Sequence, residues 1–241
     1  MSLDGKTILI IGGSSGIGFA TAQRAAKAGA RLIIAGRDPQ RLENAVAALR
    51  EAGAEVTGSE LNAADANVWA HFCDTLEPVH HVISMVGGAM GGGFMVNDDA
   101  VLREAIDGKF FNALHICKSV AAKVIDGGSI TLTAGAGGRP HSASGAFIGN
   151  AAISLLVQGL AVELAPRLRV NAIAPTWMDT PLWRNVPRAD IERTKAHFAG
   201  IIPLGRTAEP GDIADAYVFV MNNRFLTGQT LVLDGGLGLV A

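Results

Sequence analysis

A doubly wound α/β domain, about seven mainly parallel strands with helices on both faces, is the fold this sequence predicts. Two observations carry that reading. Apolar runs of strand length alternate with longer stretches of helical period along the whole chain. Several of those runs are continuously apolar, as strands are when a parallel sheet is buried on both faces. No Pro/Ser-rich linker and no internal repeat interrupts the alternation, so residues 1–241 read as a single domain.

The strands fall at 6–11 (KTILII), 31–35 (RLIIA), 55–61, 80–86 (HHVISMV), 129–133 (SITLT), 168–173 (LRVNAI) and 230–233. Helical period fills 16–28, 39–52, 65–76, roughly 98–124, 146–164 and 211–221. The helix at 39 opens behind Asp38 and Pro39, a capping carboxylate followed by proline at the first helical position. The last helix opens within AEPGDIADA, where Pro210 and Asp212 mark its start. Glycine-rich loops at 87–93 (GGAMGGG) and 134–138 (AGAGG) follow strand ends, where open α/β sheets take their ligands.

Composition narrows the function classes. With 49% hydrophobic and 17% charged residues the chain buries a large core, and disorder is excluded. A net charge of −2 carries no signature of nucleic acid or of an anionic membrane surface. Cys73 and Cys117 lack metal-ligand spacing and read as buried, reduced thiols. The short apolar run before Gly12 is too brief for a signal-peptide core or a membrane span, so a cytoplasmic protein is expected.

The first strand runs directly into Gly12-Gly13-Ser14-Ser15-Gly16-Ile17-Gly18, and a helix begins there. Gly12 permits the tight turn, Gly16 lets backbone approach a diphosphate, and Gly18 lets helix and strand pack closely. The free N–H groups of that helix start then face the phosphates, a dinucleotide site. The second strand ends in Gly36 and Arg37, where an NAD site would place a carboxylate for the ribose 2′-hydroxyl. A guanidinium grips a 2′-phosphate instead, so NADP(H) is the expected cofactor.

Taken together these residues resemble the short-chain dehydrogenase/reductase family, which has the Rossmann fold, and the resemblance spans the chain. The glycine turn is similar to the family's T-G-x-x-x-G-x-G, with Ile11 in the Thr place. Asn62 stands where the family has an Asp beside the adenine. Ser84-Met85-Val86-Gly87 stands at its N-N-A-G and keeps the glycine. Arg169 through Ala172 (RVNA) matches the sixth-strand signature, and LTGQTLVLDGG at 226–236 matches the last strand and ending. Pro175 through Thr180 (PTWMDT) resembles the loop over the nicotinamide, with Thr176 replacing a glycine. The resemblance implies nicotinamide contacts from Pro175, Met178 and Thr180. It also implies a substrate lid over 177–199, whose Trp177, Met178, Leu182, Trp183 and Phe198 form either a substrate face or ordinary lid packing.

The family's catalytic side chains do not recur where the register puts them. Counting back from LAVELAP places Ala146 at the family's Tyr and Asn150 at its Lys; HSASG at 141–145 lies too early to serve. The Ser falls at Ala134 or Gly135, and IDGKFFNA puts Lys109 at the Asn. The lone tyrosine, Tyr217, is in a late helix. Lysine and asparagine have exchanged places, so Lys109 is expected to keep an ammonium near the nicotinamide ribose, delivered from the 98–124 helix; a solvated or interfacial lysine on an amphipathic helix is the other reading. His141, in the loop before the 146–164 helix, is a further candidate acid, since histidine titrates near neutrality.

The resemblance thus implies an NADP(H)-dependent oxidoreductase acting on a small or medium apolar carbonyl, imine or alkene through a non-standard proton donor. An inactive NADP(H)-binding sensor or assembly protein, and a non-redox enzyme holding the cofactor structurally, fit the same residues. It also implies a homodimer or homotetramer packed through the 98–124 and 146–164 helices, the second of which (AAISLLVQGLAV) is apolar on more than one face. Nucleic acid, membrane and metal have no place in this reading.

Overall fold

Alternation within the strands decides the architecture. In β1 (Thr7–Ile11), Ile8 and Ile10 join one apolar cluster and Leu9 and Ile11 the other, because successive strand side chains lie on opposite faces. The sheet therefore has two buried faces, and the strands read as unbroken apolar runs. The structure is a computed structural model that describes residues 2–88 and 91–240. Ala89 and Met90, in the expected 87–93 loop, lie outside the described residues, as do both terminal residues.

β1 is joined by β2 (Arg31–Gly36), β3 (Val56–Glu60), β4 (Val79–Ser84), β5 (Val124–Thr133), β6 (Arg169–Pro175) and β7 (Thr230–Leu233). They form one seven-stranded sheet in the order β3-β2-β1-β4-β5-β6-β7, and every pairing is parallel. Connections leave β1 toward β2 on one side and return to β4 on the other. That reversal opens a crevice at the carboxyl end of β1, where doubly wound sheets bind ligands.

The helices in chain order are α1 (Gly16–Lys27), α2 (Pro39–Glu51), α3 (Ala66–Thr75), α4 (Asp99–Ile106), α5 (Asn112–Val120), α6 (Ser144–Glu163), α7 (Arg188–Ile201), α8 (Pro210–Asn222) and the short α9 (Leu237–Val240). Ala22 of α1, Leu42 of α2 and Ile213 and Tyr217 of α8 cover one face of the sheet, over Ile8, Ile10 and Ile34. Trp69 of α3, Ile116 of α5 and Val157 of α6 cover the other, over Leu9, Val82 and Ile130. Each such buried aliphatic side chain contributes about 1.5–3 kcal/mol. α6 is long and apolar enough to cross a membrane by length and composition alone. Here it packs on β6 and α4 and leaves Leu155 and Val162 exposed at 69% and 79%.

Three segments depart from the sequence expectation. The 98–124 helix is not continuous: α4 passes through a π-helical turn, Asp107–Phe111, into α5 and a 3-10 turn. Val124, expected at that helix's end, instead begins β5, because it pairs with Val79 across a register shift in β4. The segment 177–199, given no helix from sequence, holds a 3-10 turn, Pro181–Trp183, and most of α7. Only Ile191 of α7 is buried, so its sequence carries no broad apolar stripe.

Candidate active site

The glycine turn sits at the crevice, and its glycines are sterically required. Gly12 has φ +84°, a left-handed value that glycine alone adopts without strain. A side chain on Gly18 would collide with the Gly12 carbonyl. Ser15 is the N-cap of α1 but makes no side-chain cap hydrogen bond, and the first turn carries no acidic residue. The N–H groups around Gly16, Ile17 and Gly18 are therefore left for an external anion.

A cavity of about 540 Å³ opens beside this turn, with Arg37, Asn62 and Gly87 in its wall. At the end of β2 a Cβ on Gly36 would lie 2.9 Å from Ser14 Oγ, so a carboxylate side chain would meet Ser14 there. Asp38 is committed elsewhere: its carboxylate accepts from the Arg41 backbone N–H at 2.9 Å and pairs with the Arg41 guanidinium at 2.9 Å. That backbone hydrogen bond leads in holding the Asp38 carboxyl below its usual range, with the Arg41 charge adding to it. Arg37 has no acidic partner among the described residues and stays exposed. Arg184, from the segment after the 3-10 turn, lines the same cavity. Sequence reading missed it, since nothing local connects it with Arg37.

A second cavity, of about 700 Å³, adjoins the first and shares Gly12, Arg37, Gly87 and Arg184 with it. Lys109 and Asn150 both line it, as do Ala134, Gly135 and Ala146. The π turn delivers Lys109, a distortion that recurs at functional sites. The lysine threads between two glycines: a Cβ on Gly149 of α6 would fall 2.9 Å from its Cδ, and one on Gly87 would fall 3.3 Å from its Nζ. It is 8% exposed, so the solvated reading of Lys109 does not hold. No salt bridge or hydrogen bond holds its Nζ among the described residues, and burial pushes its pKa down to about 8.

Two polar atoms of residues lining the same cavity, Asn150 Oδ1 and Thr176 Oγ1, are buried without a partner among the described residues. Such groups cost free energy unless a ligand or water satisfies them. Aromatic rings line the same cavity. Trp177 stacks on Phe198 at 5.4 Å and on Trp183 at 6.2 Å, and Trp183 Nε1 donates to the Met178 carbonyl at 3.0 Å. Pro175 and Thr180 also line this cavity. His141 is exposed and lines neither cavity; its backbone carbonyl lies against Gly93. Tyr217 is fully buried, and its hydroxyl shares a 2.6 Å hydrogen bond with Thr133 Oγ1.

Known proteins match this chain over nearly its whole length. A family model described as Enoyl-(Acyl carrier protein) reductase matches residues 12–238. The chain belongs to the short-chain dehydrogenase/reductase family. A 3-oxoacyl-(acyl-carrier-protein) reductase of Rattus norvegicus is 31% identical and aligns over 98% of this chain and 99% of its own length. A galactitol 2-dehydrogenase (L-tagatose-forming) of Cereibacter sphaeroides is 30% identical, over 97% and 95%. An NADPH-bound short-chain oxidoreductase of Pseudomonas aeruginosa PAO1, described as containing an atypical catalytic center, superposes with a TM-score of 0.90 at 28% identity, covering 98% of each chain. In short-chain dehydrogenase/reductase terms, the positions that sequence register assigns to catalysis (Lys109, Ala134 or Gly135, Ala146 and Asn150) all line one cavity. The free helix start, the glycine-walled crevice and the unpaired Arg37 fit a nicotinamide dinucleotide bearing a 2′-phosphate.

Proposed function

We propose that this chain is an NADP(H)-dependent reductase of a small or medium apolar carbonyl compound, with Lys109 as the group facing the oxygen that gains charge. The observation that carries the reading is a buried lysine that lines the second cavity and has no acidic partner among the described residues. Bound NADPH supplies the hydride. Lys109, whose pKa near 8 keeps it mostly protonated at neutral pH, stabilises the developing alkoxide and donates the proton to it. The Thr176 hydroxyl, with no partner among the described residues, donates to the substrate's polar end, and the Trp177–Phe198 pair excludes water and packs its planar apolar part. No carboxylate lines this cavity among the described residues, which favours a neutral carbonyl or enone over a cationic imine that Lys109 would repel.

The reading includes a homo-oligomer. Phe111 of the π turn and Phe147, Leu155 and Val162 of α6 are exposed, and a second copy would cover them. The two cysteines are buried free thiols, as suits a reducing cytoplasm.

The test is NADPH oxidation against a panel of aryl ketones, cyclic enones and cyclic imines, with wild type and Lys109→Met side by side. Turnover of ketones or enones that drops at least a hundredfold in the variant is the expected result. Tight NADPH binding with no turnover of any panel member would instead establish a nucleotide-binding protein without chemistry.

A further inference from the structure

Lys109 has a second chemical capacity that hydride transfer does not use. It presents a primary amine to a cavity of about 700 Å³, at the end of a stem clamped between Gly87 and Gly149. The amine is tied to no acid or carbonyl among the described residues, and no carboxylate shares the wall. Desolvated amines of this kind are nucleophiles toward carbonyl carbon.

Burial also selects the carbonyl. A simple ketone condensing with a lysine yields a hydrolysable imine whose reactive, protonated form is a cationic iminium, which a desolvating site opposes as it opposes the ammonium itself. A 1,3-dicarbonyl compound escapes that cost. The Nζ lone pair attacks one carbonyl carbon, the N–C bond forms, and a proton passes from nitrogen to the carbinol oxygen. The C–O bond then breaks as the central carbon gives up a proton, hydroxyl and proton leaving together as one water, and a neutral enaminone remains. Amine plus dicarbonyl becomes enaminone plus water, with no oxidant or reductant. The neutral adduct keeps one carbonyl oxygen, and the unpartnered Thr176 Oγ1 lies in the same wall to donate to it.

We infer that Lys109 is a covalent capture site for uncharged 1,3-dicarbonyl compounds, which enter the aromatic-walled cavity and end as neutral enaminones. The inference rests on where Lys109 lies and not on the reductase reading. The depressed pKa supports it, because at neutral pH a far larger fraction of Lys109 is free amine than of an ordinary lysine.

The experiment incubates the purified protein, without added nucleotide, with acetylacetone or 1-phenyl-1,3-butanedione near pH 7.5. Intact mass, peptide mapping and the near-ultraviolet enaminone band are read over time. The expected result is one adduct, of the diketone's mass less one water, on Lys109. It should form on the order of 10²-fold faster than on the exposed Lys27 or Lys195. Lys109→Met and Lys109→Arg should both lose it; the arginine variant keeps the charge and serves if the methionine variant folds poorly. No adduct in wild type, or labelling spread evenly over surface lysines, overturns the inference. Capture by wild type with full NADPH turnover in Lys109→Met sinks only the reductase reading. Lost turnover with no capture sinks only this one.

Discussion

Replacing Lys109 with methionine should make the protein more stable while stopping its chemistry. Methionine is unbranched and follows the same path between Gly87 and Gly149 without a charge to desolvate. The magnitude follows from the lysine's titration, held at about 8 against an ordinary 10.5. Below pH 8 the lysine is protonated in both the folded and unfolded chain, and the folded state carries the whole desolvation cost. At pH 7 that difference is worth about 3 kcal/mol. Between pH 8 and 10.5 the unfolded chain holds more protons than the folded one, so wild type gains stability as pH rises and the gap closes. At pH 9.5 about 1.4 kcal/mol should remain. Burial is the cause of the shift: Asp107 and Glu104, on the lysine's own helical run, are exposed, and Arg37 and Arg184 are the other charges in the cavity wall. Thermal or urea denaturation of both proteins at equal concentration, without nucleotide, reads the effect. For a chain of this size, about 3 kcal/mol corresponds to a melting-temperature gain of roughly 6–12 °C at pH 7. A variant no more stable than wild type at pH 7, or a gain that does not shrink at pH 9.5, refutes the claim that Lys109 is a buried, uncompensated charge.

Three further outcomes are expected. Arg37→Ala should weaken NADPH binding roughly tenfold to a hundredfold, since a charge-assisted contact of about 1.5–3 kcal/mol is lost, while NADH affinity in calorimetry stays as it was. Gly149→Ala places a methyl 2.9 Å from Lys109 Cδ, so stability should fall by about 1–3 kcal/mol and turnover should fall with it, with NADPH affinity retained. If Lys109 is the acid, the turnover number should be flat below pH 8 and drop about tenfold per pH unit above it, because only the protonated amine donates; a profile flat to pH 10 would contradict that role.

What could be read in the sequence divides by the range of the forces involved. β1, the glycine turn and the Asp38 cap are local: two buried sheet faces give an unbroken apolar run, and Gly12 and Gly18 are demanded by their own backbone. The capping box at Glu209 and Asp212 is likewise written in neighbouring residues. The π turn is different. DGKFF continues a helical pattern, and the fold interrupts it where Lys109 packs between β4's following loop and α6. The start of β5 depends on Val79, far away in sequence. α7 escaped because solvent, not the core, faces most of it. At the site, the exchange of lysine and asparagine was visible as a pattern, but burial of the lysine was not. Arg184 reaches the Arg37 side of the crevice only through the path of the chain after β6.

The stacked Trp177–Trp183 pair also gives the protein a built-in optical reporter. Of three tryptophans, Trp177 and Trp183 lie 6.2 Å apart in the segment after β6, while Trp69 is sealed in the core with its indole N–H on the Ile116 carbonyl at 3.4 Å. Two coupled indoles in one fixed geometry produce near-ultraviolet circular dichroism of their own. They also lie along the cavity that would seat a reduced nicotinamide, an acceptor for indole emission. Quenching on nucleotide addition therefore reports on that pair, while Trp69 supplies a constant background.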